Sequence, residues 1–157
     1  MREVRRRLDA AAGYLELEMF EDATSELAGI PVAAPHARQL LGMRALVSQA
    51  AGNWELMGEA AGELVRQWPD DSNHWIWLAY AMRRSHSLAE AEDVLLAALK
   101  HHETEPVIHF NLSCYAAQLG KLELARERLQ RAITLDPTVR RMARKDPDLK
   151  ALWPELG

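Results

Sequence analysis

Cysteine is almost absent: Cys114 stands alone among 157 residues. A single thiol excludes an internal disulfide, and no metal-ligand spacing surrounds it. Glycine and proline are scarce as well, with 8 and 7 copies. No run of β-branched residues alternates with polar ones, so nothing reads as a half-buried strand. No apolar run approaches the roughly 20 residues that span a bilayer, so membrane insertion is not expected. The opening segment Met1-Arg2-Glu3-Val4-Arg5-Arg6-Arg7-Leu8 is positively charged but leads into no apolar core or cleavage site. It reads as a helix and not as a signal peptide. The default compartment is therefore reducing and aqueous, the cytoplasm.

An excess of positive charge is also missing. With 19 basic and 23 acidic residues the net charge is −4. Phosphate neutralisation supplies most non-specific nucleic-acid affinity, so nucleic acid is not an expected partner. The charge is uneven, however. Residues 38–105 hold 6 basic and 10 acidic side chains, and residues 106–157 hold 9 and 6. There is no Gly-rich phosphate loop, no nucleotide fingerprint and no convergent acid/base set. No catalytic residue, cofactor or metal site is expected. His101-His102 closes a helix, where imidazolium complements the dipole, and His109 and Cys114 complete no ligand set.

What the chain does have is helix-forming composition, 48% hydrophobic and dominated by Ala, Leu, Glu and Arg. It also has a repeat. From Asp136-Pro137 backwards stand Ala132, Leu129, Ala125 and Leu112. A shift of 34 residues places these on Ala98, Leu95, Ala91 and Leu78. A second shift gives Leu64, Ala61, Met57 and Arg44, with Pro69 under Pro137; a third gives Ile30, Leu27, Ala23 and Ala10, with Pro35. Four ungapped units follow: 4–37, 38–71, 72–105 and 106–139.

Each unit reads as two helices. Trp75, Ile76, Leu78, Ala79 and Met82 recur at helical spacing, and Ser87 with Glu90 forms a capping box for the next helix. Asn53 is placed to cap after Gly52, Pro106 suits a first helical turn, and Gly120 separates the last pair. The eighth residue of each unit is small (Ala11, Ala45, Ala79, Ser113), as close helix approach requires. Met57 replaces the alanine found at Ala23, Ala91 and Ala125, while Ala61 replaces the leucine of Leu27, Leu95 and Leu129. Large and small have traded places one turn apart, so Met57 should fill the space Ala61 leaves. Residues 140–157 supply an end cap, with Asp146 as N-cap, Pro147 at the first position, Leu149, Leu152 and Trp153 following, and Trp153 packing on the fourth unit. Nothing comparable precedes residue 4, which leaves pairing with a second copy open.

Period and residues together resemble the tetratricopeptide repeat. The third unit offers Trp75-x2-Leu78-Ala79-x2-Met82 and Ala91-x3-Leu95; the fourth offers His109-x2-Leu112-Ser113-x2-Ala116, Ala125-x3-Leu129 and Pro137. The resemblance implies an all-α, right-handed superhelix of helix pairs, in a single domain, whose concave groove is lined by each unit's first helix. It implies a module binding another protein or peptide, with Leu46, Gln49, Asn73, Ile76, Tyr80, Arg83, Arg84, Phe110 and Cys114 in the groove. Tyr80 and Phe110 would anchor apolar side chains and Arg83 or Arg84 would meet a carboxylate. The positions that form the acidic-peptide clamp of heat-shock co-chaperones hold Leu8, Ala12, Met43, Asn73 and Trp77, so that subgroup is not expected. A secretion-type chaperone and a self-assembling structural protein are the alternative readings.

Overall fold

The fold is described from a computed structural model covering residues 1–33 and 35–157. Nine α-helices and a closing 3-10 helix, with no strand, make up the described residues. They are α1 (Arg2–Glu16), α2 (Phe20–Ala28), α3 (Ala37–Ala50), α4 (Trp54–Gln67), α5 (Ser72–Ser85), α6 (Leu88–Ala98), α7 (Pro106–Gln118), α8 (Leu122–Leu135) and α9 (Val139–Ala143), then the 3-10 helix Pro147–Glu155. The pairs follow the 34-residue register, with α1 starting ahead of residue 4 and α3 starting at Ala37. Packing runs in chain order: α1 on α2, α2 on α3, and so on to α7 on α8. The result is an open stack of helix pairs, not a closed bundle.

Local chemistry explains the boundaries. Asn53 Oδ1 accepts from Leu56 N–H at 3.2 Å, starting α4, and Ser87 Oγ accepts from Glu90 N–H at 3.1 Å, starting α6. Each satisfies an amide left without an intrahelical partner. Gly52 and Gly120, at the same repeat position, take φ values of 69° and 78° in the turns inside their pairs. Glycine has no Cβ to oppose that left-handed backbone. The first unit puts Glu18 there, at φ 58°.

The small eighth positions are buried, as the spacing required: Ala11, Ala45, Ala79 and Ser113 are at most 1% exposed. Ser113 Oγ donates to Ala125 O at 2.7 Å, so its hydroxyl is satisfied at the α7–α8 contact. Met57 and Ala61 are both fully buried. A second repeated device joins one pair to the next. Trp75 Nε1 donates to Pro69 O at 2.8 Å, and His109 Nε2 lies 2.7 Å from Glu103 O, at equivalent positions one unit apart.

Among the described residues the core includes two clusters, and Ala45, Met57, Ala61, Leu64 and Ala81 are buried outside them. Leu8, Ala11, Ala23, Leu27, Ile30, Leu40 and Val47 form the N-terminal one. The larger runs from Ala79 through α6, α7 and α8 to the tail, where Leu149, Leu152 and Leu156 are buried. Trp153 packs against it and donates from Nε1 to Ala143 O at 2.9 Å. Asp146 Oδ1 accepts from Asp148 N–H at 2.9 Å, with Pro147 at the first helical position.

Candidate functional site

The expected groove residues separate into two groups. On α3 and α5, Leu46, Gln49, Asn73 and Arg84 are exposed, and Ile76, Tyr80 and Arg83 are half-buried. On α7, Phe110 and Cys114 are only 5% and 3% exposed. Their assignment as accessible groove residues is corrected by the tail. Both lie in the cluster that Leu149, Leu152 and Leu156 complete, because α9 and the 3-10 helix pack back onto α7.

Arg83 meets a carboxylate, as its chemistry suggested, but that carboxylate belongs to the chain itself. Its guanidinium donates twice to Asp148, Nη1 to Oδ2 at 2.6 Å and Nη2 to Oδ1 at 3.0 Å. It also lies 5.4 Å from the Tyr115 ring centroid. The bidentate bond to Asp148 opposes the cost of burying the guanidinium and raises its pKa. Gln118 Nε2 adds a bond to Asp148 O at 3.0 Å. Burial pushes the Tyr115 hydroxyl up to about 12.

Cys114, Asp146 and Asp148 bring their donor atoms within 4.8 Å of one another. The set is internally satisfied. Cys114 Sγ donates to Asp146 Oδ2 at 3.7 Å, and Asp148 is neutralised by Arg83. Burial, then the neighbouring carboxylates, drive the thiol pKa far up, so it stays protonated. A protonated thiol is a poor nucleophile. His101 and His102 serve the fold: His102 Nε2 lies 2.8 Å from Pro69 O, and His101 stacks on Trp75 at 5.6 Å.

What remains is a compact aromatic–cation group between the start of α4 and the end of α5. Arg84 lies 5.1 Å from the Trp54 ring and 5.3 Å from Tyr80, and its Nη2 donates to Tyr80 Oη at 3.1 Å. Trp54 and Tyr80 meet edge to face at 5.6 Å. Arg84 makes no ion pair among the described residues. The groove template passes over Trp54 because it stands at the start of a second helix. The only signal in the sequence is a tryptophan close after a turn.

An open stack of helix-turn-helix units with a sealed C-terminal end is an α-solenoid. This solenoid is the tetratricopeptide-repeat fold. The chain superposes on YrrB, described as a TPR protein with an unusual peptide-binding site, at TM-score 0.70 and 19% identity, over 85% of this chain and 69% of that one. TTC0263, a thermophilic TPR protein of Thermus thermophilus, matches at TM-score 0.66 and 19% identity, over 98% and 83%. MamA matches at TM-score 0.73 and 16% identity, over 93% and 87%. No protein-family profile and no curated protein sequence matches the chain. No helix among the described residues is long and apolar enough to cross a membrane.

Proposed function

We propose that the chain is a protein-interaction scaffold that holds a peptide or helix of a partner on the exposed side of α3 and α5. The reading rests on the Trp54–Tyr80–Arg84 group. Aromatic and arginine side chains dominate binding energy at interfaces. Here two rings pre-order a cation that has no carboxylate of its own among the described residues. Leu46, 42% exposed, and Ile76 supply apolar contact beside them. A ligand carboxylate on Arg84 would form a charge-assisted bond over an aromatic platform. That YrrB is described as having a peptide-binding site agrees with this use of the fold.

The test is affinity capture from the native cell with the parent chain, Arg84→Glu and Tyr80→Asp, each checked for helicity. A partner retained by the parent and lost by both folded variants supports the site. An unchanged set of captured proteins removes this surface from the account.

A further inference from the structure

Where α4 meets α5 it carries two glycines, and a Cβ there would make ordinary contact: 3.7 Å from Ala81 Cβ at Gly58 and 3.9 Å from Leu78 Cδ1 at Gly62. The same contact one unit earlier, between α2 and α3, is built differently. Gly58 and Gly62 become Thr24 and Ala28, and Ala81 and Leu78 become Val47 and Arg44. Bulkier residues occupy all four positions. Filler is lost as well: Trp75 becomes Leu41, which has no ring N–H for the carbonyl six residues back, and Met82 becomes Ser48. A cleft of about 710 Å³ results, between α2 and α4 and above α3. Leu27, Leu41, Val47 and Ala60 form its buried floor, and Val32 and Leu56 stand 43% and 39% exposed at its mouth.

Two acidic side chains of α4, Glu59 and Glu63, line the cleft. Glu63 is paired with Arg66 and bonded by Gln67 on its own helix, whereas Glu59 is exposed and makes no ion pair among the described residues. Glu21, Asp22 and Glu26 on α2 add negative charge nearby, with no basic residue on that helix. Arg44 lies in the floor, but its guanidinium is engaged by Leu27 O at 2.9 Å and Ile30 O at 3.0 Å. Along α4 the lining residues Leu56, Glu59, Ala60, Glu63 and Gln67 recur at helical spacing, so a second helix laid alongside would find apolar and acidic positions in register. The cleft is distinct from the Tyr80–Arg84 surface. At about 100° per residue, Leu41, Arg44 and Ser48 lie on the side of α3 opposite Leu46.

We propose that the α2–α4 cleft docks a cationic amphipathic helix of another protein. Its aliphatic side chains enter the cleft and its Lys or Arg side chains pair with Glu59 and Glu63. The chain then joins two partners, one on each side of α3.

The probe is a fluorescein-labelled Leu/Lys peptide of about 16 residues, about 24 Å long as a helix, with Leu at i, i+3, i+4 and i+7. Its Leu/Glu counterpart and a scrambled Leu/Lys peptide serve as comparisons. The parent should bind the patterned Leu/Lys peptide saturably, and the other two at least about tenfold more weakly. Glu59→Lys with Glu63→Lys should weaken that binding by about tenfold and gain the Leu/Glu peptide. Thr24→Trp, at an exposed position on the cleft wall, should block it while the helix content is kept, and Arg84→Glu should leave it unchanged. Equal binding of patterned and scrambled peptides overturns the proposal. So does an affinity indifferent to the double charge reversal, or loss of binding on Arg84→Glu.

Discussion

Glu18 holds the turn between α1 and α2 at φ 58°, where the second and fourth units use glycine. A left-handed backbone costs an L-residue about 1–2 kcal/mol, part of which glycine gives back through its looser unfolded state. Glu18→Gly should therefore stabilise the chain by about 0.5–1 kcal/mol in urea denaturation. Unchanged or lower stability would mean that Glu18 makes a compensating contact. The exchange of size between Met57 and Ala61 is a second residue-scale device. Both side chains are fully buried, so Met57→Ala leaves the pair without a large member. A loss of about 2–5 kcal/mol is expected, partly restored by adding Ala61→Leu. An undiminished Met57→Ala midpoint would show that the space was never shared. The turn glycines and the caps at Asn53 and Ser87 were readable because each is settled within about one turn of its own neighbours. The burial of Phe110 and Cys114 was not readable from their own positions. It depends on a tail some thirty residues downstream, and a repeat template carries no information about what folds onto its last unit.

At the scale of elements, the tail is more than an end cap. Asp148 reaches across to Arg83 on α5, while Glu155 accepts two bonds from Arg126 on α8, at 2.6 and 2.7 Å. The closing 3-10 helix is thus fixed to the third and fourth units by charge as well as by Leu149 and Leu152. Arg83 was readable as a cation seeking a carboxylate. That the carboxylate would come from the same chain was not, because 65 residues separate the pair. Asp148→Ala removes the partner of a guanidinium that is only 31% exposed. A loss of about 1–2 kcal/mol is expected, since one charge is left partly desolvated. The same variant loosens the lid over Cys114. Native Cys114 should resist iodoacetamide at pH 8, because its raised pKa keeps it protonated and burial blocks approach. Asp148→Ala should speed alkylation well before global unfolding. If both proteins react at the same slow rate, the tail is held by its leucines alone.

Across the whole molecule, stability should be graded from one end to the other. A solenoid repeat contacts only its neighbours, so each pair is as secure as its own core and its adjoining interfaces. Among the described residues the N-terminal cluster has seven buried residues and the C-terminal one nineteen, so the two ends should not open together. The first pair has further weaknesses: α2 is only 9 residues long, Glu18 is strained, and the α2–α4 cleft leaves its outer side underpacked. Hydrogen exchange read by mass spectrometry should show amides of α1 and α2 opening first, with α7 and α8 protected up to global unfolding. Glu18→Gly should slow exchange in α1 and α2 and leave α7 unchanged. Uniform protection from α1 to α8 would mean that the stack opens as one unit despite its two cores. The gradient also bears on binding. A helix seated between α2 and α4 would join the least stable pair to its more stable neighbour, so the Leu/Lys peptide should protect α2 more than any other helix.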